Sequence, residues 1–157
     1  MKGVVVIENA QENDIAEISV LIEHVIKTCI DVTDRDANDL VAHSVYNILL
    51  WKKNKHNAAH LVYRLDNRIV GVVLVKEFWN ITSLFVDPDY QGRGIGKALI
   101  TEALAQCRGK SPKGLVRLSS STHAQDFYHA IGFEQAGESK PLPGGCIPFQ
   151  FVFNSID

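Results

Sequence analysis

The sequence predicts a single α/β (α+β) domain over residues 1–157: a mixed, mostly antiparallel sheet flanked by helices, in the order β-α-α-β-β-β-α-β-α-β. Three observations carry that prediction. Two early segments repeat their apolar residues at helical spacing, with a polar, acidic break between them. Two long apolar runs meet at Asp66-Asn67, a hairpin signal. Residues 84–99, LFVDPDYQGRGIGKAL, pass from an apolar strand through a proline bend and a glycine-rich turn directly into a helix.

Each element follows from local chemistry. Residues 4–7 read as a short buried strand. Asp14-x-x-Glu17 reads as a capping box opening a helix that carries Ile15, Ile18, Leu21, Ile22, Val25 and Ile26. Residues 31–39 break it, and a second helix then places Leu40, Val41, Val45, Ile48 and Leu49 on one face. Residues 61–64 and 69–76 form the hairpin arms, and residues 81–86 add a third antiparallel strand. The helix after the glycines runs to Arg108 and stops at Gly109. Residues 115–119 make the next strand. Ser121 or Thr122 caps a short helix that ends before Gly132. Residues 147–153 put Ile147, Phe149, Phe151 and Phe153 on one face of a final half-buried strand.

Composition narrows the function. The chain has 157 residues, the size of one domain able to bury a substantial core. Its formal net charge is −2 and its pI is about 6.3, so no global basic field recruits nucleic acid or anionic lipid. No apolar run approaches the roughly 20 residues of a membrane span, and the N-terminal residues lack a secretory apolar core, so the expected location is cytoplasmic. Cys29, Cys107 and Cys146 are widely spaced and read as reduced thiols, not a disulfide frame or zinc site.

The glycine-rich turn is an anion site of pyrophosphate size. Gly92, Gly94 and Gly96 allow close approach of backbone, the following helix turns its free N–H groups into the turn, and Arg93 and Lys97 add two cations. A Walker loop fails, because Gln91 and Ala98 stand where glycine and a hydroxyl residue are needed. A dinucleotide fingerprint fails too, with Lys97 at its third glycine.

Gln91-Gly92-Arg93-Gly94-Ile95-Gly96 resembles, residue for residue, the Q-x-x-G-x-G/A acyl-CoA loop of the GNAT (GCN5-related N-acetyltransferase) family, and Leu84-x-Val86-x-Pro88 before it is similar as well. Ala124-x-x-Phe127-Tyr128-x-x-x-Gly132-Phe133 resembles the family's second signature. The resemblance implies acetyl-CoA as co-substrate and direct transfer of its acetyl group to a primary amine. It implies that backbone at Phe85 and Val86 pairs with the pantetheine arm, and that Gln91, Gly92, Arg93, Gly94, Ile95, Gly96 and Lys97 hold the pyrophosphate. It implies that Ser121 and Phe127 contact the cofactor and that Tyr128 protonates the departing thiolate. Ser121 departs from the asparagine of many relatives, which puts only that contact in doubt.

The attacking amine must lose its proton, and the strand before the loop offers only Thr82 and Ser83. Glu77 is the best available base, His123 and Asp87 are alternatives, and a water chain with no single base serves equally. Asp31, Asp34, Asp36 and Asp39 either attract a cationic acceptor or solvate a loop and cap a helix. His56 and His60 have the i, i+4 spacing of a metal pair but no acidic partner, so no metal is expected. Trp51 and Trp79 read as packing anchors, and residues 137–148 either loop over the acceptor pocket or simply connect. The expected partners are a small-molecule or protein amine and a second copy of the chain, with no nucleic acid and no membrane. Two other readings remain: a non-catalytic acyl-CoA-binding or regulatory module, and a nucleotide phosphate-binding protein.

Overall fold

The computed structural model describes residues 3–142 and 145–154. Its order is β1 (Val5–Asn9), α1 (Ile15–Cys29), α2 (Asp34–Lys53), β2 (Ala58–Leu65), β3 (Arg68–Lys76), β4 (Asn80–Val86), α3 (Ile95–Cys107), β5 (Leu115–Ser120), α4 (Gln125–Ile131), β6 (Glu134–Gln135) and β7 (Ile147–Val152). The expected order is therefore present with one addition, the two-residue β6, which is too short to leave a periodic signal. The strands form one seven-stranded sheet ordered β1-β2-β3-β4-β5-β7-β6. All neighbours are antiparallel except β4 and β5.

Helices cover both faces of the sheet. On one face α1 and α2 bury Ile18, Ile22, Ile26 and Ile48 against Val62, Val72 and Leu74. On the other, α3 and α4 bury Leu99, Ile100 and Tyr128 with Leu61, Val73, Val75, Phe133 and Phe149. Strand β3 lies between the two cores and is apolar without interruption from Ile69 to Val75 apart from Gly71, as a strand buried on both faces must be. Gly71 sets the distance of α3: a Cβ there would stand 2.9 Å from Leu99 Cδ1 and 3.0 Å from Ile95 Cγ2. The hairpin turn uses left-handed backbone at Asp66 and Asn67, with φ of 52° and 67°.

Several local expectations are corrected. Strand β1 is an exposed edge, not a buried one: it pairs only with β2, and of its residues only Ile7 is half-buried, against the α3–α4 core. Asp14 and Glu17 do not form a capping box. Asp14 accepts from the Gln11 N–H at 2.9 Å and pairs with Arg64 at 2.6 Å, while Glu17 accepts from the Ile69 N–H at 2.8 Å. Asp14 thus caps the turn one step earlier, at Gln11, while a long-range partner on the sheet claims Glu17. In α2 the buried face is Ala37, Ser44, Asn47, Ile48 and Trp51, and Leu49 points outward. Thr33, not Asp36, caps that helix, accepting from the Asp36 N–H at 3.2 Å. Helix α4 starts after Ala124 with no side-chain cap from Ser121 or Thr122.

The geometry that opens the site lies at β4. Leu74 pairs with Ser83 and Val75 with Ile81, so Thr82 is one extra residue in β4, a β-bulge that bends and twists the strand. Strands β4 and β5 register only at Asn80 and Arg117, where the Arg117 N–H reaches the Trp79 carbonyl at 2.6 Å. Beyond that point they diverge.

His60 on β2 is buried with its ring edge against Trp51, centroids 4.3 Å apart, and neither ring nitrogen has a protein partner. Burial pushes its pKa down to about 4, only partly opposed by the charge of Asp14. The folded value lies below the ordinary 6.5, so this histidine's contribution is fully present above pH 6.5 and is lost as pH falls through 4. That difference amounts to about 3 kcal/mol. Unfolding free energies from urea titrations across this range should fall in the wild type by that much more than in His60→Leu; equal slopes would refute the assignment.

Candidate acetyl-CoA site

The turn and the start of α3 behave as their residues dictate. Gly94 is the N-cap residue with φ of 82°, a left-handed conformation that side chains resist, and Gly92 has φ of 78°. The first intrahelical bond runs from the Ala98 N–H to the Gly94 carbonyl at 3.0 Å, which leaves the N–H groups of Ile95, Gly96 and Lys97 free of intrahelical partners. A Cβ built on Gly94 meets no atom within 4 Å, so the space in front of this turn is open. Gly96 is different, since a Cβ there would stand 3.2 Å from the Phe127 ring.

This turn forms one end of a 590 Å³ cavity lined by Leu84, Phe85 and Val86 of β4, by Tyr90, Gln91, Gly92, Gly94, Ile95, Gly96 and Lys97, by Val25 of α1, and by Ala124, Phe127 and Tyr128 of α4. A second cavity, of 270 Å³, occupies the divergence of β4 from β5 and includes Thr82, Ser83, Ser119, Ser121 and Ile30. Val25, Leu84, Phe85, Ala124 and Tyr128 line both. Tyr128 therefore stands at the junction of the anion turn and the opening between the strands.

Side chains fix the frame. Gln91 donates to the Val86 carbonyl at 3.0 Å and reaches Cys29 Sγ at 3.7 Å, tying the turn to β4 and to the end of α1. Asp87 is buried, accepts from the Asp89 N–H at 3.0 Å and pairs with Arg68 at 3.3 Å. Arg93 lies 5.1 Å from the Tyr90 ring centre. Tyr128 packs against Phe127 at 5.1 Å and Phe133 at 5.8 Å, and burial pushes its phenol up to about 12.

Eleven of the thirteen residues expected to act sit at these two cavities, and Arg93 stands beside them on Tyr90. Glu77 does not. It lies in the β3–β4 turn with φ of 56°, its carboxylate accepts from the Trp79 indole at 3.1 Å, and it lines a separate depression with Asn47 and Trp51. The turn is at the end of β4 where β5 is still paired, remote from the bend toward Val86. Among the described residues lining the two cavities there is no carboxylate. His123 is exposed and lines neither, and Asp87 is committed to Arg68 and the turn. Ser121 lines the opening between strands rather than the larger cavity. Of the four aspartates, Asp34 lines a cavity that shares Ile30 with the opening. Part of the expected lid, residues 143–144, lies outside the described residues, and the described remainder folds on itself through the Lys140–Cys146 bridge. No group of three or more His, Cys, Asp or Glu suited to a metal occurs among the described residues. No helix among them is long and apolar enough to cross a membrane.

Val25 and Tyr90 line the site without having been singled out, and Leu84 and Ala124, named as motif positions, line it as well. Tyr90 directly precedes Gln91, which is a usable signal. Val25 has none, because its place on the apolar face of α1 looks like any other core position.

A family model described as an acetyltransferase (GNAT) domain matches residues 29–144. The chain belongs to the GNAT acetyltransferase family. An uncharacterized N-acetyltransferase of Methanocaldococcus jannaschii is 42% identical over 97 residues, covering 54% of this chain and 43% of that protein. The chain thus spans less than half the length of that relative. A ribosomal protein bS18-alanine N-acetyltransferase of Haemophilus ducreyi is 29% identical over 129 residues, covering 73% of this chain and 89% of its own. Among solved structures, the PaiA N-acetyltransferase of Thermoplasma acidophilum in complex with coenzyme A superposes with a TM-score of 0.76 at 16% identity, covering 96% of this chain and 99% of that one. The fold is that of the GNAT family, and the open turn at Gly94 fits a pyrophosphate.

Coenzyme A at 100 times its dissociation constant should stabilise the protein by roughly 2.7 kcal/mol, read as a rise in melting temperature of several degrees. Gly94→Val should abolish that rise while the ligand-free variant still melts cooperatively, since its side chain fills the phosphate's space rather than the core. A shift with ATP but none with coenzyme A would overturn the reading.

Proposed function

We propose that the protein transfers an acetyl group from acetyl-CoA to a primary amine by direct attack. The observation that carries this is the position of Tyr128 at the wall shared by the two cavities, with the anion turn at one side and the parted strands at the other. The free N–H groups at the start of α3, with Lys97 and Arg93, hold the pyrophosphate by hydrogen bonds and charge. The unpaired edge of β4 around Phe85 and Val86 hydrogen-bonds the pantetheine arm as an added strand would. When bound, acetyl-CoA supplies the activated carbonyl.

The amine enters from the opening between β4 and β5. Its nitrogen forms a bond to the carbonyl carbon as the carbon–sulfur bond breaks, and Tyr128 gives its phenolic proton to the departing sulfur. Burial that raises the phenol to about 12 keeps that proton in place at working pH. The proton shed by the amine leaves through water. Thr82 Oγ1 and Ser83 Oγ, buried without a protein partner in residues that line the opening with Tyr128, are the groups available to hydrogen-bond that water. Proximity and orientation supply most of the rate. Relatives named for acting on the ribosomal protein bS18 alanine and on peptidyl lysine support a primary amine as the acceptor class.

A second reading, a non-catalytic acyl-CoA-binding module, is favoured by one observation, the absence of a carboxylate among the described lining residues. A turnover screen of amines with thiol detection separates the two: coenzyme A affinity with no thiol release from any amine supports the module.

Tyr128→Phe keeps the ring and removes the proton. It should lower kcat about 10²-fold, with acetyl-CoA KM little changed. In the wild type no loss of kcat from phenol ionisation should appear below about pH 11. Full kcat in the variant with chemistry rate-limiting would remove Tyr128 from the mechanism.

If the acceptor is cationic, Asp34→Asn should raise its KM about two- to fivefold and reduce the salt sensitivity of that KM, leaving acetyl-CoA KM alone. An unchanged amine KM returns Asp34 to the role of a first-turn residue favouring the α2 dipole.

A further inference from the structure

Another cavity lies at the other end of α3, about 20 Å along the helix from the anion turn. It holds 360 Å³ and is enclosed by the end of β1, the last turn of α2, the start of β2 and the C-terminal end of α3. Its lining is unlike that of the acetyl-CoA site. Lys55, His56 and Lys110 bring positive or protonatable nitrogen, Asn9, Gln11 and Gln106 bring amides, and no carboxylate is among the lining residues. Trp51 and Phe78 form apolar walls, with Lys110 Nζ held 5.2 Å from the Phe78 ring centre.

His60 belongs to this lining and supplies a second, independent observation. It is 4% exposed, and neither ring nitrogen meets a protein hydrogen-bond partner. A buried imidazole without partners carries a desolvation cost that ordinary packing does not return. We propose that this cavity is a binding site for a small organic carboxylate, held by Lys55 and Lys110, oriented by the amides, and sensed by His60.

The charges around His60 are consistent with that assignment. Asp14, the carboxylate that acts on it, is already paired with Arg64 at 2.6 Å. Lys55 is paired with Glu12 at 2.8 Å, but both are surface groups, with side chains 43% and 48% exposed, so this pair can exchange for a bound anion at little cost. Lys110 completes the positive side. An anion placed among them stabilises the protonated imidazole and would move the His60 titration upward.

Succinate is a suitable probe, titrated into the full chain with coenzyme A saturating the anion turn and ionic strength held constant with sodium chloride. The His60 ring resonances, assigned by their loss in His60→Leu, should move saturably, and the His60 titration should shift up by about one pH unit. Lys110→Gln should weaken the apparent affinity about tenfold while leaving the coenzyme A melting shift unchanged. Absence of a saturable shift, an equal shift with chloride alone, or an affinity unaffected by Lys110→Gln would each overturn the proposal. Acetyl transfer plays no part in this readout, so failure here and failure of the proposed reaction are separate results.

Discussion

The rest of the structure depends on the parting of β4 from β5. A parallel pair of central strands would ordinarily close its ladder along the whole length, because unpaired backbone groups buried in a sheet are costly. Here the ladder is made at Asn80 and Arg117 and then abandoned. The extra residue at Thr82 bends β4, while β5 pairs along its other edge with β7 at six positions. The edge of β4 thus faces a cavity, and backbone that would have met β5 becomes available to a ligand.

Everything functional is arranged around that gap. Helix α3 leaves β4 through the glycine turn, and Gly71 lets it pack closely enough on β3 that its free N–H groups are fixed relative to β4. Helix α4 follows β5, so its position is set by the other lip of the gap, and Tyr128 on it reaches both cavities. The aromatic cluster of Phe127, Phe133 and Phe149 holds that tyrosine in place. A chain with the same motifs but closed strands would keep an anion turn and lose any path for an amine to reach the bound acyl group.

The polar core shows a different economy. Arg64 gathers Glu8 and Asp14, at 2.5 and 2.6 Å, and so joins β1, β2 and the start of α1. Glu17 caps the Ile69 N–H rather than its own helix. Of the two residues that looked like a helix signal, Glu17 serves a tertiary partner, and Asp14 divides its carboxylate between Arg64 and the Gln11 N–H, each a charge-assisted bond. His60 stands apart, buried on the same face as Trp51 with its nitrogens unmatched.

The sequence by itself determined the elements apart from β6, their order and the anion turn, because these follow from short-range chemistry: apolar period, glycines at left-handed positions, and cations beside a helix start. It also placed Tyr128 and Phe127 on one short helix before Gly132. Only the tertiary structure decided that Glu77 belongs to a turn remote from the cleft, that Val25 and Tyr90 line it, and that β1 is an exposed edge. The physical reason is common to all three. A period of 3.6 or 2 says which side of an element is apolar, not whether that side meets a packed layer, an opening or solvent. That choice is made by how far two strands stay paired, and the bulge at Thr82 that ends their pairing appears only when the register of β3 against β4 is known.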